Sequence, residues 1–278
     1  MMQGRAERYR RQSLPERLAA RLPASRPINA LRRRLRPVWS RLLASSSASL
    51  VATLPDGERI AIASAHCHIT WNPDEYRAFK TAVRTGSVVF DVGANAGAYT
   101  VLFAKWVGPT GHVYAFEPDF RAFSALTSHL RLNAVADWTI ASAAAVLDRS
   151  GPASLFVSES PGGSRLAPSH ASTSARPVSG VTIDQMWRER GVLPDVIKVD
   201  VEGAELAVLR GARETIAAAG ERLTLFVEMH PALWREAGYS LDDLQAECAG
   251  LELEPQSICG GDRWGTDGVC VMLRKASR

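Results

Sequence analysis

The chain has 278 residues, 46% of them hydrophobic and 22% charged, with a net charge of +4. That composition is globular, with room for one ordinary domain and an appendage, and it excludes a collagenous or wholly disordered chain. No run approaches the ~20 apolar residues needed to span a bilayer.

The charge is unevenly placed. Residues 1–41 carry twelve arginines against Glu7 and Glu16. "LPERLAARL" and "INALRRRLRPVWSRLL" are basic amphipathic segments, interrupted at Pro15, Pro23, Pro27 and Pro37. Residues 1–48 are read as a basic extension, partly helical or disordered, and residues 49–278 as the folded domain. The arm is either a solvated extension or a surface for an anionic membrane or polymer. It lacks the apolar middle of a secretory signal. The expectation is a cytoplasmic, bacterial protein, peripheral to the inner membrane surface if the arm binds lipid. Cys67, Cys248, Cys259 and Cys270 form no CxxC pair, which argues against zinc.

"SLVATLPDGERIAIA" reads as a β-hairpin turning at Pro55-Asp56-Gly57. "NPDEYRAFKTAV" follows as a helix with Asn72 as cap and Pro73 at its first position. A rhythm then begins. "SVVFDV", "HVYAFEP", "WTIASAAAV", "PDVIKVDVEG", "RLTLFVEMHP" and "GVCVMLRK" read as strands. "AGAYTVLFAKWV", "DFRAFSALTSHLRLN", "TIDQMWRERG", "GAELAVLRGARETIAAAG" and "LDDLQAECAG" read as the helices between them. Apolar strands alternating with amphipathic helices predict an α/β fold with a doubly wound, mostly parallel sheet. Ser158 to Gly180, rich in Ser, Pro and Gly, breaks the rhythm and is read as a mobile cover over the substrate or as plain disorder.

Four stretches carry chemistry. In "VVFDVGANAGAYT", Asp91 sits where a buried strand ends, and Gly93 and Gly97 allow a sharp turn and a close backbone approach. The dinucleotide pattern G-x-G-x-x-G is absent, because Asn95 stands where its middle glycine would be. A cationic or zwitterionic cofactor suits the acid better than a pyrophosphate. Glu117 ends the next strand, at the distance where an acid accepts ribose hydroxyls. An acidic, glycine-turned pocket with a ribose acceptor fits S-adenosyl-L-methionine. In the third stretch, Lys198, Asp200 and Glu202 alternate toward one side of a strand end. In the fourth, Glu228 and His230 do the same.

"FDVGANAGAYT", "VYAFEP", "VTIDQM", "IKVDVEGAELAVLRGA" and "FVEMHP", in this order, resemble the FkbM family of S-adenosylmethionine-dependent methyltransferases over roughly residues 86 to 231. The resemblance implies a Rossmann-like class I methyltransferase fold and O-methylation of a hydroxyl on a sugar, glycan or other natural product. It places Asp91, Gly93, Asn95, Gly97 and Glu117 on the family's cofactor positions. It does not fix the acceptor.

The reaction needs a group to take the hydroxyl proton. Asp200, His230, Glu228 and Glu202 are the candidates, with Asp200 and His230 ranked first; Glu228 could orient His230, or either glutamate could hold the acceptor's hydroxyls. Asp200 and Glu202 could hold a divalent metal, but neither residues nor family pattern demand one, and none is expected. The rival readings are a nucleic-acid methyltransferase, prompted by the arm, and a nicotinamide-dependent oxidoreductase. Against the first, no aromatic-lined basic groove appears. The missing glycine argues against the second.

Overall fold

The computed structural model describes residues 49–66, 69–157, 164–166, 174–258, 264 and 269–275. The arginine-rich arm, Cys67, Cys259 and most of the segment read as a cover lie outside the described residues.

The chain enters through the expected hairpin, β1 (Ser49–Thr53) and β2 (Arg59–Ala63), paired antiparallel. Its turn closes where Glu58 N–H donates to Asp56 Oδ1 at 3.1 Å. Helix α1 (Pro73–Ala82) is capped by Asn72, whose Oδ1 accepts from the amide of Asp74 at 2.9 Å.

From there the chain alternates. It runs through β3 (Val88–Val92), α2 (Thr100–Val107), β4 (His112–Phe116), α3 (Phe120–Leu132) and β5 (Thr139–Ser142). After a small sheet come α4 (Ile183–Arg190), β9 (Val196–Val199), α5 (Glu205–Arg210), α6 (Arg213–Ala219) and β10 (Thr224–Met229). The chain finishes with α7 (Pro231–Ala237), α8 (Leu241–Gly250), β11 (Leu253–Ser257) and β12 (Val269–Lys275).

The main sheet has the order β11-β12-β10-β9-β3-β4-β5. The five strands from β10 to β5 are parallel, while β12 runs antiparallel to β10 and to β11. The period of two along each strand divides the core. Phe90, Val92, Ile197, Val199, Leu225 and Val227 face α5, α6 and α8 through Leu206, Leu209, Ile216 and Leu244. Val89, Val113, Ala115, Val196 and Phe226 face the hairpin, α1, α2 and α3 through Ile60, Phe79, Leu102 and Leu126. Both faces are covered, so this is a doubly wound, Rossmann-like sheet with a hairpin ahead of it. Among the described residues no helix is long and apolar enough to cross a membrane.

The structure departs from the sequence reading in four places. The third strand breaks at Ala143: β5 stays in the main sheet, while β6 (Ala144–Val146) joins a second sheet with β7 (Gly151–Val157) and β8 (Ser174–Val181), in the order β6-β8-β7. Part of the expected cover is therefore strand. The helix expected over 203–220 is two. At the break, a Cβ on Gly211 would lie 2.0 Å from the Leu147 carbonyl oxygen, and Asp184 caps the new start by accepting from the amides of Glu214 and Thr215. Strand β11 and helix α7 were not foreseen.

Candidate active site

Strands β3 and β9 are neighbours, but their following connections run to opposite sides of the sheet. In open α/β sheets the crevice at such a reversal, beyond the carboxyl ends of the strands, is where ligands bind. The chain here is tightly closed. Gly93 has φ +79°, and a Cβ on it would lie 1.7 Å from the Asp200 carbonyl oxygen. Only glycine lets the two strand ends meet.

Two cavities open at this point. The larger, about 410 Å³, is lined by Asp91, Gly93, Asn95, Tyr99, Lys198 and Asp200, with His66 and Thr70 from the connection after the hairpin. The smaller, about 90 Å³, is lined by Gly93, Asn95, Glu117, Pro118, Asp200 and Glu202. Of the five expected cofactor residues, four therefore border a cavity. Gly97 borders neither. Its φ is +83°, and a Cβ would lie 2.7 Å from Leu126 Cδ1, so it serves the approach of α3.

Asp91 is fully buried. Its Oδ2 accepts from the Thr100 hydroxyl at 2.6 Å, while Oδ1 accepts no hydrogen bond among the described residues and lies 3.7 Å from Lys198 Nζ. Burial raises its pKa, and the Lys198 charge opposes that rise only in part. Glu117 is almost as buried, and burial pushes it up to about 7. It ties the loop together by accepting from the amides of Asn95 (2.8 Å) and Asp119 (2.7 Å).

The expected catalytic residues converge as well. Lys198 Nζ donates to Asp200 Oδ2 at 3.2 Å. Burial disfavours its charge, but Asp200, Asp91 and Glu228 outweigh that and hold the ammonium above its usual range. Strand β9 ends before Asp200, so a turn, with Glu202 at φ +51°, carries the Glu202 carboxylate to its place. His230 Nε2 lies 4.0 Å from Glu202 Oε2 and 3.8 Å from Glu228 Oε1. Burial raises the pKa of both carboxyls.

Glu205, not Glu228, orients His230; for Glu228 that was one of two expected roles. The His230 Nδ1 pairs with Glu205 Oε1 at 2.8 Å. Glu205 is completely buried and collects three further donors: the Gly203 amide (3.0 Å), Trp234 Nε1 (2.8 Å) and the Tyr239 hydroxyl (2.7 Å). These bonds overcome burial and hold Glu205 ionised, below its usual pKa. Burial alone would lower the His230 pKa, but the Glu205 carboxylate reverses the sign and raises it. Glu205 was missed as a site residue. Its signal was the acid closing Lys-x-Asp-x-Glu-Gly-x-Glu, at the head of a helix that is otherwise apolar in "LAVL".

Tyr99 was missed too. Its hydroxyl donates to the buried Glu75 at 2.6 Å, and its ring lies 5.8 Å from Lys198 Nζ. From the broken-rhythm segment, Ser164 borders both cavities and donates to Asp119 Oδ2 at 2.9 Å, and Arg165 borders the smaller one while pairing with Glu236 at 3.0 Å.

The family model of the Methyltransferase FkbM domain matches residues 91–248. That is more than half of the chain, and the chain belongs to this family. No curated protein matches it. Among solved structures it is similar to an SAM-dependent O-methyltransferase from Thermotoga maritima, with a TM-score of 0.45 and 11% identity over 82% of this chain and 78% of that one. It is also similar to Aeropyrum pernix fibrillarin, whose crystal structure holds natively bound S-adenosyl-L-methionine, with a TM-score of 0.41 and 12% identity over 81% of this chain and 92% of that one.

Proposed function

We propose that this FkbM-family methyltransferase moves the methyl group of S-adenosyl-L-methionine to a hydroxyl of a sugar, glycan or other natural product. The observation that supports the reading is that two sets of groups meet at one crevice. Asp91, Gly93, Asn95 and Glu117 line the side read as the cofactor's, and Asp200 and Glu202 line it next to them. His230 and Glu228, which border neither cavity, stand behind Glu202, with His230 Nε2 4.0 Å from Glu202 Oε2 and 3.8 Å from Glu228 Oε1.

The residues fit the cofactor. Asp91 Oδ1 is a buried acceptor without a hydrogen bond, at the wall of the larger cavity, where an ammonium or sulfonium charge would be welcome. Glu117 retains lone pairs for ribose hydroxyls beyond the two amides it holds. When bound, the cofactor supplies an electrophilic methyl carbon whose bonding pair to sulfur stays on sulfur.

The chain's own part is alignment and proton removal. The acceptor hydroxyl loses its proton as its oxygen gains the methyl group. The carboxylates of Glu202 and Glu228 accept no hydrogen bond among the described residues, so either can receive that proton, directly or through His230, whose Nε2 stands between them. Around the two cavities Asp91, Glu117, Asp119, Asp200 and Glu202 outnumber the cations Lys198, Arg121 and Arg165, a balance that supports a neutral polyhydroxylated acceptor over a nucleic acid.

The reading is tested by calorimetry with S-adenosyl-L-methionine and its demethylated product, then by methyl transfer to a panel of glycans and hydroxylated metabolites, with RNA alongside. Binding of NADH in place of both ligands would overturn it. Transfer to RNA and to no hydroxylated small molecule would overturn the acceptor class.

A further inference from the structure

The spacing around His230 is odd for a set of ion pairs. Charge-assisted hydrogen bonds contract to about 2.7–2.9 Å. The partners of Nε2 instead stand off at 3.8 and 4.0 Å, although Nδ1 is closely held. One ligand atom from each of Asp200, Glu202 and His230 lies within 4.8 Å of the other two. Atoms bound to one ion at about 2.1 Å are themselves separated by roughly 3 to 4.3 Å. The three groups are spaced as ligands around a centre, not as partners of one another.

We propose that Asp200, Glu202 and His230 form a site for one divalent cation of the Mn²⁺ type. Two carboxylates and one imidazole make a mixed oxygen and nitrogen set, and Mn²⁺ accepts both. The groups behind the ligands agree with this. Metal-bound histidines nearly always give their other ring N–H to a carboxylate, and bound carboxylates are themselves hydrogen-bonded. Glu205 takes Nδ1 of His230, which leaves Nε2 for the ion. Lys198 takes Oδ2 of Asp200, which leaves Oδ1. His230 is only 7% exposed, so its ring is fixed in place. Ion binding displaces the imidazole proton.

The proposal rests on the methyl-transfer reading only for its chemistry. An acceptor oxygen on the ion becomes more acidic. Its proton passes to Glu228, the carboxylate the ion leaves uncommitted. The oxygen then bonds to the methyl carbon, and the carbon–sulfur pair remains on sulfur.

The test needs neither cofactor nor acceptor. The full-length protein, stripped with chelator, is titrated with Mn²⁺, and free ion is read by electron paramagnetic resonance. One saturable Mn²⁺ per chain is expected. Glu202→Gln and Asp200→Asn should each weaken it at least tenfold, and Glu205→Gln should weaken it about 10–100-fold. Circular dichroism checks that each variant is folded. The Glu202 side chain is 34% exposed, so Glu202→Gln decides the matter if Glu205→Gln does not fold. Absence of saturable uptake, or uptake that Glu202→Gln and Asp200→Asn leave unchanged, overturns the site. S-adenosyl-L-methionine binding is measured on the same preparation, so a missing metal site and a failed methyltransferase reading give different results.

Discussion

Asp91 and Lys198 face each other in register across the two parallel strands β3 and β9, with Nζ 3.7 Å from Oδ1. The pair is what allows a carboxylate with no solvent exposure to stand in the floor of the crevice. Breaking a buried pair leaves an uncompensated charge, at a cost of about 3–5 kcal/mol. Lys198→Met should lose that much in urea unfolding. Adding Asp91→Asn should return a large part of it, because the orphaned charge is then gone. A double variant no more stable than Lys198→Met would mean that the two residues are not coupled.

Glu117 predicts a pH dependence. Burial raises its folded-state pKa from the ordinary 4.5 to about 7. The cofactor-free fold binds the proton more tightly than the unfolded chain does. This group's contribution to stability is therefore complete below about pH 4.5 and is lost as pH rises toward 7. Cofactor affinity moves the other way, because ribose hydroxyls donate to the carboxylate and not to the acid. Calorimetric affinity should climb between pH 6 and pH 8. Glu117→Gln should flatten the climb and weaken binding by about 1.5–3 kcal/mol at pH 8. A wild-type affinity that is level across this range would remove Glu117 from the ribose site.

Two glycines with similar backbones separate strain from collision. Gly57 has φ +87° and Gly93 has φ +79°. A Cβ on Gly57 meets nothing within 4 Å, while one on Gly93 would strike the Asp200 carbonyl oxygen. Gly57→Ala should cost only the left-handed backbone penalty, about 1–2 kcal/mol. Gly93→Ala must push β3 and β9 apart and should abolish cofactor binding as well as lower the melting temperature far more. Equal melting temperatures for the two variants would mean that the strand ends are not locked at Gly93.

The same contrast shows what the sequence made legible. The glycine turn, Glu117 and the acids beyond β9 could be read because local rules set them: strand ends, turn residues and alternation. The Gly211 break could not, because it depends on Leu147, a residue 64 positions earlier in the chain. Strands β7 and β8 hid for a related reason. Their exposed faces carry Ser, Pro and Arg, so apolar alternation never emerged, and β8 pairs on one side with the far end of a strand that changes sheets. Glu205 lay inside the most distinctive motif and still escaped. A buried acid is explained only by its four donors, and two of them, Trp234 and Tyr239, come from α7 and the turn after it.

The donors around Glu205 give the last prediction. Both of its oxygens are filled, Oε1 by the Gly203 amide and His230 and Oε2 by Trp234 and Tyr239. Glu205→Gln keeps the shape but turns one oxygen into an NH₂ that faces donors, so it should cost about 1–3 kcal/mol or more for the groups left unsatisfied. It also frees the His230 ring. Tyr239→Phe removes one donor, leaves His230 pinned, and should cost about 1 kcal/mol. The two variants should then diverge in function. Glu205→Gln, like His230→Ala and Asp200→Asn, should cut methyl transfer by about 10²–10⁴-fold while cofactor affinity changes little, whereas Tyr239→Phe should stay close to wild type. The measurement is single-turnover transfer beside calorimetric affinity. A fall in transfer for Tyr239→Phe as deep as that for Glu205→Gln would show that the network serves general stability, not the placing of His230. A joint loss of transfer and affinity in Asp200→Asn would move Asp200 to the cofactor side of the crevice.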